Sequence, residues 1–296
     1  MAVEQLIKTG LEKAFDKYFY DELVIGKLAQ HQTKALIKKG DEVDVKMPAM
    51  VTVSKYDGGD LDDPEKVTTS FAKVKIDKGF SVHFKLEQIE EDYIKNAKSE
   101  VAQADLIREY CTDAVKQAAA DVDEAYGALY TRAGHYVDNS GNAIALDATV
   151  AKDLFAYMEA EFKRGDKKGH TNWIDGQMIA IVPPEYQFFL GKNEIYGNVE
   201  SGHRKIEKGY IGTLAGWDIL VSNNIASPST GVYYPLFGIK GKTLAGGMSK
   251  DLNMMNYVPE KNFDKVYKGY GLYGVGAPRA DFLGTAKISA TLSLGS

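Results

Sequence analysis

The sequence predicts an α+β fold, and three features carry the prediction. The run from Glu87 to Gly134 holds no proline and a single interior glycine, Gly127, which reads as one long helix, with Lys98 as a point where it can break. Gly40 to Leu86 alternates apolar and polar residues in the two-residue period of strands. From Trp173 onward, short apolar runs alternate with glycine and proline, the mark of interrupted β elements.

In the helical run, Val101, Ala104, Ile107, Cys111, Ala114, Val115, Ala118, Val122, Ala125, Tyr126 and Leu129 recur at steps of three and four and so share one face. The opposite face is Glu, Asp, Lys and Gln. Gly134 is the expected end, since a glycine just past the last periodic residue can close a helix in the left-handed conformation. From Ser99 to Ala133 the helix would span roughly 50 Å, long enough to act as a spine. Ala118, Ala119 and Ala120 keep the stripe thin, so a second layer can approach closely. Cys111 is the one cysteine, which excludes an intrachain disulfide, and its place on the stripe reads as a small buried hydrophobe.

Ahead of the spine, Val43 and Val45, then Val51 and Val53, then Val74, Ile76, Phe80, Val82 and Phe84 mark strands. Between them lies a polar tip with Asp57, Gly58, Gly59, Asp60, Asp62, Asp63, Pro64 and Glu65, a mixture that favours chain reversal and solvation. The arms form a long hairpin. A two-stranded hairpin is marginal in water and leaves its edges unpaired, so it should lie on another element, and a second copy of the chain is the expected partner. Asp57, Asp60, Asp62, Asp63 and Glu65 are the candidate intersubunit contacts.

Residues 1–39 read as an N-terminal arm, with Leu6, Ile7, Leu11, Phe15, Tyr18 and Phe19 at helical spacing. After the spine, Asp138 to Gly141 is a loop, and Val150, Leu154, Phe155, Met158 and Phe162 stripe a second helix from Val150 to about Arg164. Ile179 to Val182 suits a central strand stopped by Pro183 and Pro184. A short helix over Glu185 to Leu190 and a polar stretch over Gly191 to Gly209 follow. Ile211 to Asn224 reads as strand, turn at Ala215 and Gly216, strand. Tyr233 to Leu244 and Phe263 to Val275 are strand-like. Ala286, Ile288, Ala290, Leu292 and Leu294 alternate as one final strand.

Composition restricts the function classes. The chain has 296 residues, 44% of them hydrophobic and 26% charged, enough for one large core or two modest ones. No apolar run is long enough for a membrane span, and the start lacks a signal-peptide core, so a protein made and kept inside a cell is expected. A net charge of −5 argues against gripping phosphate backbones. Gly269, Gly271 and Gly274 satisfy a dinucleotide fingerprint literally, but Pro278 interrupts where the helix should begin and no acid lies beyond Asp281, so they read as glycines in a bent strand. Gly241, Lys242 and Thr243 echo a phosphate loop, yet Leu236 stands where its first glycine belongs. His31, His83, His135, His170 and His203 form no ligand-spaced pair. The tip carboxylates miss the calcium-loop spacing. Ser222 and Ser249 stand in no nucleophile elbow. No catalytic residue, metal site or cofactor is assigned; an enzyme of the nucleotide-binding class is the competing reading from another functional class.

Certain segments, in this order, resemble the major capsid proteins of tailed bacteriophages, the Hong Kong 97 fold, and most closely those like a Salmonella phage coat protein. They are Gly40-Asp41-Glu42-Val43, Phe80-Ser81-Val82-His83-Phe84, Asp121, Ile181-Val182-Pro183-Pro184-Glu185-Tyr186, and Ile211 to Asn224 with Gly216-Trp217-Asp218 at its turn. The resemblance covers nearly the whole chain. It implies an N-terminal arm (1–39), an extended loop with flanking strands (40–86), a spine helix of a peripheral domain (87–140), an inserted axial domain (141–262) and C-terminal strands returning to the peripheral domain (263–296). It further implies homo-oligomers, as hexamers and pentamers, forming an icosahedral head in the host bacterial cytoplasm around packaged DNA held without sequence-specific binding. Implied partners are a portal protein and a separate scaffolding protein, the latter because only Met1 to Lys39 precedes the extended loop; decoration proteins stay open, and no membrane is involved. An encapsulin shell, which encloses protein cargo, is the nearest alternative.

Overall fold

The computed structural model describes residues 19–34, 38–46, 71–87, 100–164, 176–191, 210–249, 253–259 and 264–290. One sheet is built around a twelve-residue strand. Taken in chain order, its members are β1 (Ala29–Lys34), β4 (Lys78–Leu86), β12 (Leu244–Ser249), β13 (Asn253–Tyr257) and the long β14 (Lys265–Gly276). β4 runs antiparallel along β14 from Lys265↔Leu86 to Tyr273↔Lys78. β13 pairs residues of β14 that β4 also pairs, so the two lie on opposite edges; β12 follows β13 along the same edge, and β1 joins β12 in parallel. Alternation gives this sheet two faces. Phe80, Val82, Tyr267 and Tyr273 point into the core.

The helix that covers this inner face, α1 (Glu100–Gly127), has 28 residues and so spans about 42 Å. Val115, Ala118, Ala119, Val122, Ala125 and Tyr126 are buried along it, as the spacing predicts, whereas Ala120 is exposed. The side chains of Val101 to Cys111 and the run from Gln88 to Ser99 lie outside the described residues. The expected end at Gly134 is corrected: α1 ends at Gly127 and a 3-10 turn, Ala128–Arg132, continues from it. Both glycines serve close approach instead. A Cβ on Gly127 would come 2.5 Å from the Asn224 carbonyl oxygen. Gly134 donates its N–H to the Ala280 carbonyl at 2.7 Å, and a Cβ there would meet the same oxygen at 2.5 Å.

A second sheet has the order β5 (His135–Val137), β15 (Gly284–Ala286), β11 (Leu236–Ile239), β7 (Met178–Val182), β9 (Trp217–Val221), β8 (Tyr210–Leu214). Every residue of β7 is buried, which fits its uninterrupted apolar run. Ala215 (φ 47°) and Gly216 (φ 74°) form the two-residue turn between β8 and β9, at the place the sequence marks. Against this sheet pack α2 (Ala148–Arg164) and α3 (Pro184–Gly191). α2 begins two residues before the expected Val150, because the Asp147 carboxylate accepts the N–H groups of Thr149 and Val150 at 2.8 Å each and so caps it. Pro184 opens α3, where its missing N–H costs nothing. Trp217 fills the centre among Phe155, Phe162 and Phe237, and its indole N–H donates to the Phe155 carbonyl at 3.2 Å.

The C-terminal segment departs from expectation. Ala286, Ile288 and Ala290 are buried in alternation as predicted, but not as one strand. β15 pairs β11 and β5, while β16 (Ile288–Ser289) pairs β10 (Val232–Tyr233) and β6 (Ile144–Ala145) in a separate small sheet. The break falls at Lys287, whose N–H turns to the Val137 carbonyl and whose Nζ reaches the Gly141 carbonyl at 2.8 Å. Of residues 263–296, therefore, Lys265–Gly276 joins the first sheet and Gly284–Ser289 the others.

Candidate functional site: the seat of the hairpin and the clasp beneath it

The predicted hairpin has its base in β2 (Glu42–Lys46) and β3 (Phe71–Lys75), antiparallel from Glu42↔Lys75 to Lys46↔Phe71. Gly40 N–H to the Ile76 carbonyl and Ile76 N–H to the Asp41 carbonyl, both 2.8 Å, extend this ladder to its root. Its apolar row does not wait for a second copy, which corrects the sequence reading for this part of the hairpin. Val43 and Ile76 pack with Leu272, and Val45 and Val74 with Ala245, all on the outer face of the first sheet. Valines need a shallow surface to sink into, and the sheet supplies one through Gly247, Gly274 and Gly276. A Cβ on Gly247 would lie 2.9 Å from both Val43 Cγ2 and Ile76 Cδ1, and one on Gly274 would overlap the Lys75 carbonyl. Two of the three glycines of the apparent fingerprint thus take strand roles: Gly274 seats the hairpin, and Gly271 lies beneath the Phe80 ring, 2.5 Å from a would-be Cβ. Gly241, with φ 65°, is a turn residue between β11 and β12, and Thr243 Oγ1 accepts the Ile239 N–H at 2.7 Å.

Beneath the seat, on the inner face, the N-terminal segment is clasped to α1 by a carboxylate that the sequence reading placed on the polar side. Asp123 is only 1% exposed. Its Oδ2 accepts the N–H groups of Val24 at 2.7 Å and Ile25 at 3.2 Å, and its Oδ1 accepts that of Gly26 at 2.9 Å. These donors open the 3-10 turn Ile25–Leu28, whose first amides have no partner within the turn. Burial pushes the Asp123 carboxyl above the usual range, and the three N–H bonds and Lys27 pull it back. His31 Nε2 sits 2.9 Å from the Gly26 carbonyl, which makes it the donor there, and its ring meets Tyr20 and Tyr126 edge-on. Burial lowers the His31 value, and burial likewise raises that of Tyr126. Burial, then the carboxylates Asp121, Glu124 and Asp77, raise Tyr273.

A histidine whose value is lowered by folding has a pH signature. With its folded value below its unfolded one, the stability it contributes is fully present above about pH 6.5 and is lost as pH falls through the folded value. Asp123, with its value raised, acts in the opposite sense, but it is common to wild type and variant. The stability advantage of wild type over His31→Gln, which keeps an N–H donor, is therefore expected to shrink between pH 7.5 and pH 5. Urea unfolding at the two pH values measures it; a constant gap would show that His31 takes up its proton without cost.

The predicted contacts Asp57, Asp60, Asp62, Asp63 and Glu65 lie outside the described residues, as do Val51, Val53, His170 and His203. Among the described residues no group of His, Cys, Asp and Glu is placed to hold a metal ion, and no helix is long and apolar enough to cross a membrane. What the surface does offer is apolar. Met255 (64% exposed), Tyr257 and Tyr270 lie on the half of the outer face that the hairpin base leaves open, and Lys268 Nζ lies 5.1 Å above the Tyr257 ring. The sequence reading missed this cluster because Asn-Met-Met-Asn-Tyr carries neither alternation nor branched residues.

No protein-family model matches the sequence, and no curated protein does. Solved structures do match. A chain from Mycobacterium phage Che8 aligns over 89% of this chain and 90% of its own, with a TM-score of 0.60 and 19% identity. The capsid of Ralstonia phage GP4 aligns over 94% and 92%, with a TM-score of 0.60 and 10% identity. A virus-like particle from Pyrococcus furiosus aligns over 95% and 97%, with a TM-score of 0.53 and 13% identity. The chain has the fold of tailed-phage major capsid proteins.

Proposed function

We propose that this chain is the major capsid protein of a tailed bacteriophage, a Hong Kong 97-type subunit that assembles as hexamers and pentamers into an icosahedral head around DNA. The observation that carries the reading is the shared fold over about nine-tenths of both chains. In these terms α1 is the spine helix, the first sheet with α1 is the peripheral domain, and the six-stranded sheet with α2 and α3 is the axial domain, which moves β12 and β13 from the expected axial range 141–262 to the peripheral domain. The hairpin beyond Lys46 and Phe71 reaches a neighbour, with Asp57, Asp60, Asp62, Asp63 and Glu65 as its contacts. A net charge of −5 suits a container that does not grip its DNA. The likeness to the Pyrococcus furiosus particle favours a second reading, an encapsulin-type shell around protein cargo.

One subunit must occupy five-fold and six-fold environments, so uniform curvature needs a separate scaffolding protein, and a portal protein provides the entry for DNA. Expression of the full chain alone, followed by electron microscopy, is expected to give tubes, sheets and shells of mixed size. Deleting residues 57–65 should abolish these assemblies and leave the circular dichroism of the subunit unchanged. A homogeneous population of closed shells from the chain alone would defeat the scaffold requirement, and retained protein cargo would favour the encapsulin reading. A monomer at every concentration would defeat the capsid reading itself.

A further inference from the structure

Most sheet edges among the described residues carry a device that discourages pairing with another chain. β5 is three residues long. β8 has a register shift at Tyr210 and Gly212. β4 carries exposed Lys78 and Lys85, and β2 and β3 alternate with Glu42, Asp44, Lys73 and Lys75. β13 has none of these. Among the described residues it pairs β14 on one side only, and it has no charge, proline or bulge over Asn253–Tyr257 and turns Met255 and Tyr257 to solvent. A bare ladder of N–H and C=O groups beside an exposed apolar row is a template for one more strand.

We propose that β13 is a pairing edge for the β13 of a second copy, antiparallel about a two-fold axis through Met255. This rests on the capsid reading only in that a closed icosahedral shell contains two-fold axes, where a surface must complement itself. Charge selects the occupant. A strand facing its own copy brings every residue against its mirror position, so a charged strand such as β2 would set like charges close together. Uncharged β13 sets Met255 beside Met255 and Asn253 beside Tyr257. Lys268 and its counterpart stay three strand spacings apart, about 14 Å, well beyond a screening length of about 8 Å. Met255, Tyr257 and Tyr270 of the two copies would form one apolar band, continuous with the face on which each hairpin base is seated.

The test is a cross-link in the full chain. With Met255→Cys, mild oxidation should produce a disulfide-linked dimer that mass spectrometry maps to position 255 of both copies, while wild type, with Cys111 alone, should give at least tenfold less. Met255→Lys, which adds the guard the edge lacks, should weaken association about tenfold and leave far-ultraviolet circular dichroism unchanged. No more dimer from Met255→Cys than from wild type would overturn the proposal, and so would a link from position 255 to the hairpin of a neighbour. A 255–255 link formed without any shells in the microscope would support the pairing and count against the capsid reading, so the two failures are distinguishable.

Discussion

Asp123→Ala is expected to cost the folded chain about 3 kcal/mol or more, since it strands the amides of Val24, Ile25 and Gly26 in a place water does not reach, and each unsatisfied buried group costs about 1–3 kcal/mol. Part of that is offset, because the variant no longer buries a carboxylate. Asp123→Asn should fall between. It keeps one acceptor oxygen and turns an NH2 toward an N–H that needs an acceptor. The clasp lies nearly a hundred residues from its partners in sequence, so the loss should appear first as release of the N-terminal segment: early proteolysis ahead of Leu28, then a lower urea midpoint. A midpoint for Asp123→Ala equal to wild type would mean that the three amides find other acceptors and that the carboxylate does not hold the segment.

Asp123 was legible in the spacing although its chemistry hid it. Ala119, Val122, Asp123 and Tyr126 stand at i, i+3, i+4 and i+7, the positions of one helix face, and all four are buried. A carboxylate flanked by Asp121 and Glu124 looks like one more solvated acid until its place in the row is counted. Elsewhere the local signals sufficed: the apolar stripe of α2, the run of β7 and the Ala215–Gly216 turn each depend on a few adjacent residues. What was not legible depends on distant partners. Gly127 and Gly134 looked alike to a capping argument, and what separates their roles is the approach of Asn224 and Ala280. The final alternation predicted burial at Ala286, Ile288 and Ala290 correctly, but alternation does not say which sheet receives a strand, and β15 and β16 enter different ones. The valine rows of the hairpin base were readable, while the glycine seat that accepts them comes from strands some two hundred residues later.

That seat gives the second large effect. Gly274→Ala is expected to dislodge the hairpin base, because the added methyl would overlap the Lys75 carbonyl oxygen, lie 2.8 Å from its carbonyl carbon and 3.1 Å from Ile76 Cα. All three are backbone atoms, so no rotamer change relieves the clash and β3 must lift from β14. Overpacking of this kind costs about 1–3 kcal/mol. Gly276→Ala is the matched control. Its methyl would sit 3.2 Å from Val74 Cγ2, a side-chain end that can shift by a few tenths of an ångström. The hairpin root is set by the pairing of Ile76 with Gly40 and Asp41, and on the capsid reading a lift at the root displaces the intersubunit contacts proposed at residues 57–65. Assembly should therefore suffer more than stability does. Gly274→Ala subunits are expected to fold with a lowered midpoint and to form few or no particles, while Gly276→Ala subunits assemble at close to the wild-type yield. Sedimentation and electron microscopy of the two variants side by side decide it: equal particle yields would show that the direction of the hairpin is not set by its seat on the glycine row.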